Sequence, residues 1–220
     1  MKRLFLASSG LGYLKQFVGR DPATVNMLFI PTAGNLDDNV WWIDKDRDVL
    51  SKMGFTITEL DIAKATKREM KEQLSKTGIV YIAGGNTFYL LKQLQDSDFG
   101  SLLIDYIDGD GLFAGASAGA IIAGPDIEPI SSIDEPELVE GLGSTKGLGL
   151  VNVVPVPHYS METRKDSIDE IKAKYDGKYE IVTLTDDQAI VVEGDDWEIV
   201  TSERSALEHE WFDKNKEDLV

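Results

Sequence analysis

The sequence predicts an α/β protein built on a doubly wound, mostly parallel sheet with helices on both faces. Three observations carry that prediction. Short, nearly continuous apolar runs alternate with longer amphipathic stretches, the runs are rich in β-branched and aromatic residues, and glycines stand where a helix should hand the chain back to a strand. Runs that are apolar on both faces are what a parallel sheet covered on both sides requires.

Taken in order, strands are expected at 3–7, 26–31, 56–61, 79–83 and 112–116. Between them, Trp42, Val49, Leu50 and Met53 share one helical face, with Asp37 and Asp38 as cap candidates. Thr87, Leu90, Leu91 and Leu94 make a second stripe, and Leu102, Leu103, Tyr106 and Ile107 a third. Gly54, Gly78 and Gly111 sit after the expected helix ends. This βαβα rhythm implies crossovers of one hand around a shared sheet. Residues 125–149 hold Pro125, Pro129 and Pro136 and four glycines, and read as a long irregular loop or a hairpin excursion. A strand over 151–157, a helix over 166–175, and strands at 180–185, 189–193 and 198–201 follow, the last two as a hairpin around Gly194. From about Ser205 the chain is acidic and is expected to be a surface helix or a frayed tail. No repeat or linker divides residues 1–220, so one domain is expected.

Composition narrows the function. With 22 Lys+Arg against 39 Asp+Glu, the formal charge of −17 argues against a nucleic-acid surface, which needs clustered cations, and against a polybasic membrane patch. The absence of Cys removes disulfides, thiolate zinc sites and a cysteine nucleophile, and two His are too few for a His-rich metal site. The apolar start Leu4–Ala7 stops at Ser8-Ser9-Gly10, short of the roughly 7–15 residues of a signal sequence core. Residues 111–125 are too few for the ~20 of a membrane span. A soluble, cytoplasmic protein is expected. Gly141–Gly147 lacks the Gly-Lys-Ser/Thr ending of a P-loop, and Asp108–Gly111 lacks the ligands of a calcium loop. Trp41-Trp42 reads as a core or rim anchor.

The chemistry-bearing residues lie at strand ends. Gly115-Ala116-Ser117-Ala118-Gly119 follows an apolar strand and precedes a helix-like stretch, the setting of a nucleophile elbow. So tight a turn leaves no room for side chains two positions to either side of the Ser. Gly84-Gly85-Asn86-Thr87-Phe88 makes a second strand–helix junction, with Asn86 or Thr87 as helix cap and both as candidate substrate contacts. If both strand ends share one edge of the sheet, the Gly85 and Ala118 amides are placed to form an oxyanion hole. Of the two imidazoles, His209 lies between Glu208 and Glu210 in the charged tail, whereas His158 follows a strand in Val156-Pro157-His158-Tyr159 and is the candidate base. A carboxylate should orient it, and Asp186, Asp187 and Glu193 are the candidates.

Together Gly84–Phe88, Gly115–Ala120 and Pro157-His158-Tyr159 resemble the three signatures of peptidase family S51, which includes dipeptidase E and cyanophycinase; Ile30–Gly34 and the first four strands are similar too. The resemblance implies a fold like that of class I glutamine amidotransferases, with serine replacing cysteine at the elbow. It implies Ser117 as nucleophile, His158 as base and the Gly85 and Ala118 amides as oxyanion hole, with no cofactor and no metal. The expected activity is hydrolysis of short peptides with an N-terminal aspartate, the partner being a small peptide and the protein a monomer or homodimer. Dipeptidase E carries Glu in the loop matching Leu184–Asp187, at the position of Asp186, so the acid here is one methylene shorter. Glu162-Thr163-Arg164 resembles a segment whose Arg clamps the substrate's aspartate side chain, which makes Arg164 a candidate substrate contact. A β-aspartyl or cyanophycin-type substrate, or a non-catalytic sensor on the same fold, are the alternatives.

Overall fold

The computed structural model describes residues 1–216. Five strands, β1 (Arg3–Ala7), β2 (Asn26–Ile30), β3 (Thr56–Glu59), β4 (Ile79–Ile82) and β5 (Leu112–Ala116), pair in parallel, and β8 (Gln188–Glu193) and β9 (Asp196–Thr201) extend the sheet antiparallel. The order is β3-β2-β4-β5-β1-β8-β9. The mostly parallel, helix-covered sheet read from the sequence is therefore the one observed.

Alternation within each strand sends successive side chains to opposite faces. Leu4, Leu28, Val80 and Phe113 join one buried cluster, covered by α3 (Lys67–Leu74), α4 (Thr87–Asp96), α5 (Phe99–Asp108) and the short α6 (Ala118–Ile121). Phe5, Phe29, Tyr81 and Ala114 join another, beneath α1 (Leu14–Val18), α2 (Trp41–Met53) and α8 (Ala206–Lys214). The large side chains among these are almost fully shielded from water, each worth about 1.5–3 kcal/mol of transfer free energy.

Several expectations are corrected. The strand expected over 151–157 is β6 (Val153–Val156), and it does not join the main sheet. It pairs in parallel with β7 (Glu180–Thr183) as a separate two-stranded sheet. Its side chains Val154 and Val156 pack with Ile168 of α7 (Glu162–Lys174) and with Phe88 and Ile121 of the main body in a third cluster. α7 begins four residues before the expected start, which puts Arg164 in its first turn. Asp37 and Asp38 do not cap α2: its N-cap is Val40, and the Asn39 side chain accepts from the Trp41 N–H instead.

Of the two readings for 125–149 the loop is the right one: two 3-10 turns, Glu128–Ser132 and Pro136–Leu138, and a single bridge between Asp126 and Lys146. The acidic stretch from Ser205 forms no frayed tail within the described residues. Ser205 and Glu208 make a capping box, Trp211 is buried, and Glu208 is wholly enclosed against Lys45 of α2. Asp218, Leu219 and Val220 lie outside the described residues. α1 and α3 were not expected, although Thr66-x-x-Glu69 is a legible capping box.

Candidate active site

Register puts the site together. Ala7 lies opposite Ala116, and Ile82 opposite Gly115, so β1, β4 and β5 end at one rim. Their continuations are Ser8, Gly84 and Ser117. Crevices outside the carboxyl ends of parallel strands are where ligands enter such sheets.

Ser117 holds φ +50° and ψ −112°, a conformation rarely adopted by residues with a side chain. Its N–H donates to the Ala7 carbonyl at 3.0 Å, and its own carbonyl receives the Ala120 and Ile121 amides that open α6. The flanking glycines are obligatory. A Cβ on Gly115 would lie 2.2 Å from the Gly119 carbonyl oxygen, and one on Gly119 would lie 2.1 Å from that of Ile82. The turn therefore closes only with hydrogen at both positions, and Ser117 is left half-buried at the rim.

The second junction lies beside it. Gly85, at φ +145°, abuts the segment after β2 so closely that a Cβ would fall 2.3 Å from the Ala33 carbonyl, and the Asn86 N–H donates to that carbonyl at 2.9 Å. A Cβ on Gly84 would come within 3.7 Å of Ser117 Oγ. Among the described residues neither the Gly85 N–H nor the Ala118 N–H donates a hydrogen bond. Gly85 is half-exposed, whereas Ala118 is buried and offers only the open amide of a helix start.

His158 reaches this rim from the small sheet, not from the main one as its position after a strand suggested. It follows β6 at φ +65°, and its N–H donates to Ser8 Oγ at 2.9 Å, bridging the two sheets. Its Nε2 lies 3.0 Å from Ser117 Oγ and its Nδ1 2.7 Å from Asp186 Oδ1. Asp186 is pinned at both ends: its carbonyl accepts the Gly10 N–H at 2.9 Å, and Oδ2 accepts from Ser160 Oγ at 3.1 Å. Hydrogen bonding from His158 holds the Asp186 carboxyl below its ordinary value against the opposing effect of burial, with help from the His158 charge, Ser160 and Arg204. Asp187 and Glu193 do not reach the imidazole. The Asp187 carbonyl instead receives the Ser202 N–H, and Glu193 pairs with Arg3 at the far edge of the sheet.

These groups face a cavity of about 580 Å³. Arg164 and Arg204 line it, as do the carboxylates of Asp37, Asp134 and Glu135. Among the described residues neither guanidinium has an ion-pair partner, and that of Arg204 lies 4.4 Å from the Phe212 ring centroid. Asn86 is at the wall, but its Oδ1 caps α4 and its Nδ2 donates to the Glu135 carbonyl, so both ends of the amide are already engaged. Thr87 departs from expectation: its side chain is fully enclosed and does not face the cavity, because its N–H is drawn to Asp134 Oδ2 as α4 begins. His209 is exposed on α8, away from the site.

Sequence reasoning missed Ser8, Ser160 and Arg204, whereas Trp42, read as a core or rim anchor, does stand at the cavity wall. Ser8 ends an expected strand and Ser160 sits two residues after His158, so position alone pointed to both. Nothing local marks Arg204, which arrives through the packing of α8.

Fold and cavity together define an α/β protein whose cleft lies at the carboxyl ends of a parallel sheet, with a strained serine at its centre. Residues 6–200 match the sequence model of Peptidase family S51. The chain belongs to that family. It is 31% identical over 207 residues, 93% of its length and 100% of the other's, to an uncharacterized peptidase of Listeria monocytogenes serovar 1/2a. It is 30% identical to Peptidase E of Salmonella arizonae over 149 residues, 66% of this chain and 63% of that one. The crystal structure of a candidate Peptidase E protein from Listeria monocytogenes EGD-e superposes with a TM-score of 0.86 at 29% identity, covering 91% of this chain and 98% of that one. Among the described residues no helix is long and apolar enough to cross a membrane.

Proposed function

We propose that this peptidase is of the serine type and hydrolyses short peptides with an N-terminal aspartate, in the manner of dipeptidase E. One observation carries the reading: the continuous hydrogen-bonded line from Ser117 Oγ through His158 to Asp186, with distances of 3.0 and 2.7 Å, beside two amides without a hydrogen-bond partner among the described residues. In this reading His158 Nε2 takes the proton of Ser117 as Oγ attacks the scissile carbonyl. The Gly85 and Ala118 amides receive the oxyanion, each donor being worth about 3–4 kcal/mol in the transition state. Protonated His158 then hands its proton to the leaving amine, and water enters by the same route to release the acid. Asp186 holds the imidazole tautomer and balances its transient charge. Arg164 takes the aspartate side chain, since a guanidinium fork matches a planar carboxylate and keeps its charge at any working pH.

The test is a hydrolysis screen over α-Asp-Leu, β-Asp-Arg, Glu-Leu and Gly-Leu with the parent protein and Ser117→Ala. Turnover of α-Asp-Leu that disappears in Ser117→Ala is expected. Persistent turnover in that variant would remove Ser117 from its role, and a preference for β-Asp-Arg would move the substrate to β-linked peptides.

A further inference from the structure

The Gly84–Gly85 peptide unit is the part of the Ser117 surroundings whose orientation no ladder dictates. It lies after β4 and before α4, outside the regular hydrogen bonding of either. With glycine on both sides, such a unit can turn over about its long axis with little movement of its neighbours. Half a turn would exchange the directions of the Gly85 N–H and the Gly84 carbonyl oxygen, converting the oxyanion donor of that reading into a repelling dipole.

One side chain opposes that rotation. Trp42 Nε1–H, from the first turn of α2, donates to the Gly84 carbonyl oxygen at 3.1 Å, and among the described residues this is the only hydrogen bond that oxygen accepts. In a trans peptide the C=O and N–H point in opposite directions, so fixing the carbonyl toward the indole fixes the Gly85 N–H away from it. The indole is itself braced. Trp41 meets it edge-on with centroids 5.9 Å apart, and Trp41 in turn packs on Trp211 and Phe212 of α8 at 6.3 and 5.8 Å. The buried contact of Lys45 with Glu208 ties the same two helices.

We propose that Trp42 is a positioning residue of the oxyanion site, holding the Gly84–Gly85 peptide so that the Gly85 N–H is presented to the developing charge. This rests on the serine peptidase reading above. Trp42 also lines the cavity, so a simple wall role is the competing account. The two accounts separate in kinetics. A wall contact supports ground state and transition state alike, whereas an aligned oxyanion donor acts mainly in the transition state.

The experiment compares the parent with Trp42→Phe, and with β-(3-benzothienyl)alanine installed at position 42, which keeps the bicyclic shape and removes only the N–H. Thermal melting of both variants checks that the fold is kept. The assay is hydrolysis of the best α-Asp dipeptide, together with inhibition by a peptide aldehyde of the same acyl residue, which forms a tetrahedral adduct. Expected is a fall in kcat of about 10- to 100-fold, short of the 10²–10³ for outright loss of a donor, with KM within about twofold and aldehyde affinity falling in step with kcat. An unchanged kcat, or a loss carried by KM alone, would overturn the inference while leaving the function intact. Absence of Ser117-dependent turnover in the parent protein would overturn the function itself.

Discussion

Replacing Asp186 with Asn tests the candidate site at its most quantitative point. The carboxylate lies 2.7 Å from His158 Nδ1, and its side chain is 27% exposed, so the pair is neither in bulk water nor in a dry interior. An effective dielectric of about 20 suits that position, and charge centres about 4 Å apart then interact by roughly 4 kcal/mol. In the proposed reaction that stabilisation acts on the imidazolium formed as Ser117 gives up its proton. At about 1.4 kcal/mol per decade, the neutral amide should lower kcat by roughly 10³-fold. The Gly10 and Ser160 contacts to the residue's main chain remain, so the loop should keep its shape. Steady-state hydrolysis of α-Asp-Leu measures the effect, with Asp187→Asn as the control that should stay within about threefold. A loss below tenfold in Asp186→Asn, or an equal loss in Asp187→Asn, would refute the reasoning.

Two further outcomes are expected. Gly119→Ala forces a methyl against the Ile82 carbonyl, and overpacking of this kind destabilises by about 1–3 kcal/mol or more. Melting should fall by roughly 2–12 °C in scanning calorimetry, and an unchanged midpoint would mean that the turn has slack not visible in its geometry. Asp126 gives a pH signature. Burial would raise its carboxyl, but the Glu128 N–H, Thr145, Tyr179 and Lys146 outweigh it and hold the group below its ordinary value. Stability from such a group is fully present above the unfolded-state value near 3.9 and is lost as pH falls through the lower folded value. The difference in urea stability between the parent and Asp126→Asn should hold steady above about pH 5 and close below about pH 4; a gap that widens with acid would contradict the assignment.

Much of this molecule is written locally. Strand alternation, the glycines of the elbow and the Gly84-Gly85 junction are demanded by sterics within a few residues, and each sequence pattern lands where its physics requires. The position of His158 depended on more. Periodicity identifies β6 as a strand, but which strand it pairs with is decided by the third apolar cluster, whose members come from residues 88 to 168. For the same reason local reading could not choose between Asp186 and Asp187 and kept Glu193 in reserve, although strand register sends Glu193 to the opposite edge. Thr87 misled because a polar residue beside a glycine pair looks like a ligand contact, while its N–H is satisfied by Asp134, 47 positions later. Arg204 had no signature at all, since α8 brings it to the cleft.

The nucleophile and its proton acceptor stand on separate foundations. Ser117 opens α6 over the main sheet, whereas His158 and Asp186 each leave a strand of the smaller one. The two bodies are registered by Val153, Val182 and Leu184 in the main apolar cluster, by the third cluster, of which Ile121 one helical turn beyond Ser117 is part, and by the hydrogen bonds that Ser8 and Gly10 make with His158 and Asp186. Loosening there separates oxygen from nitrogen while every strand of the larger body is still paired. Catalytic geometry is therefore hostage to packing between two sheets, and a substitution in that contact can disturb it without touching either residue.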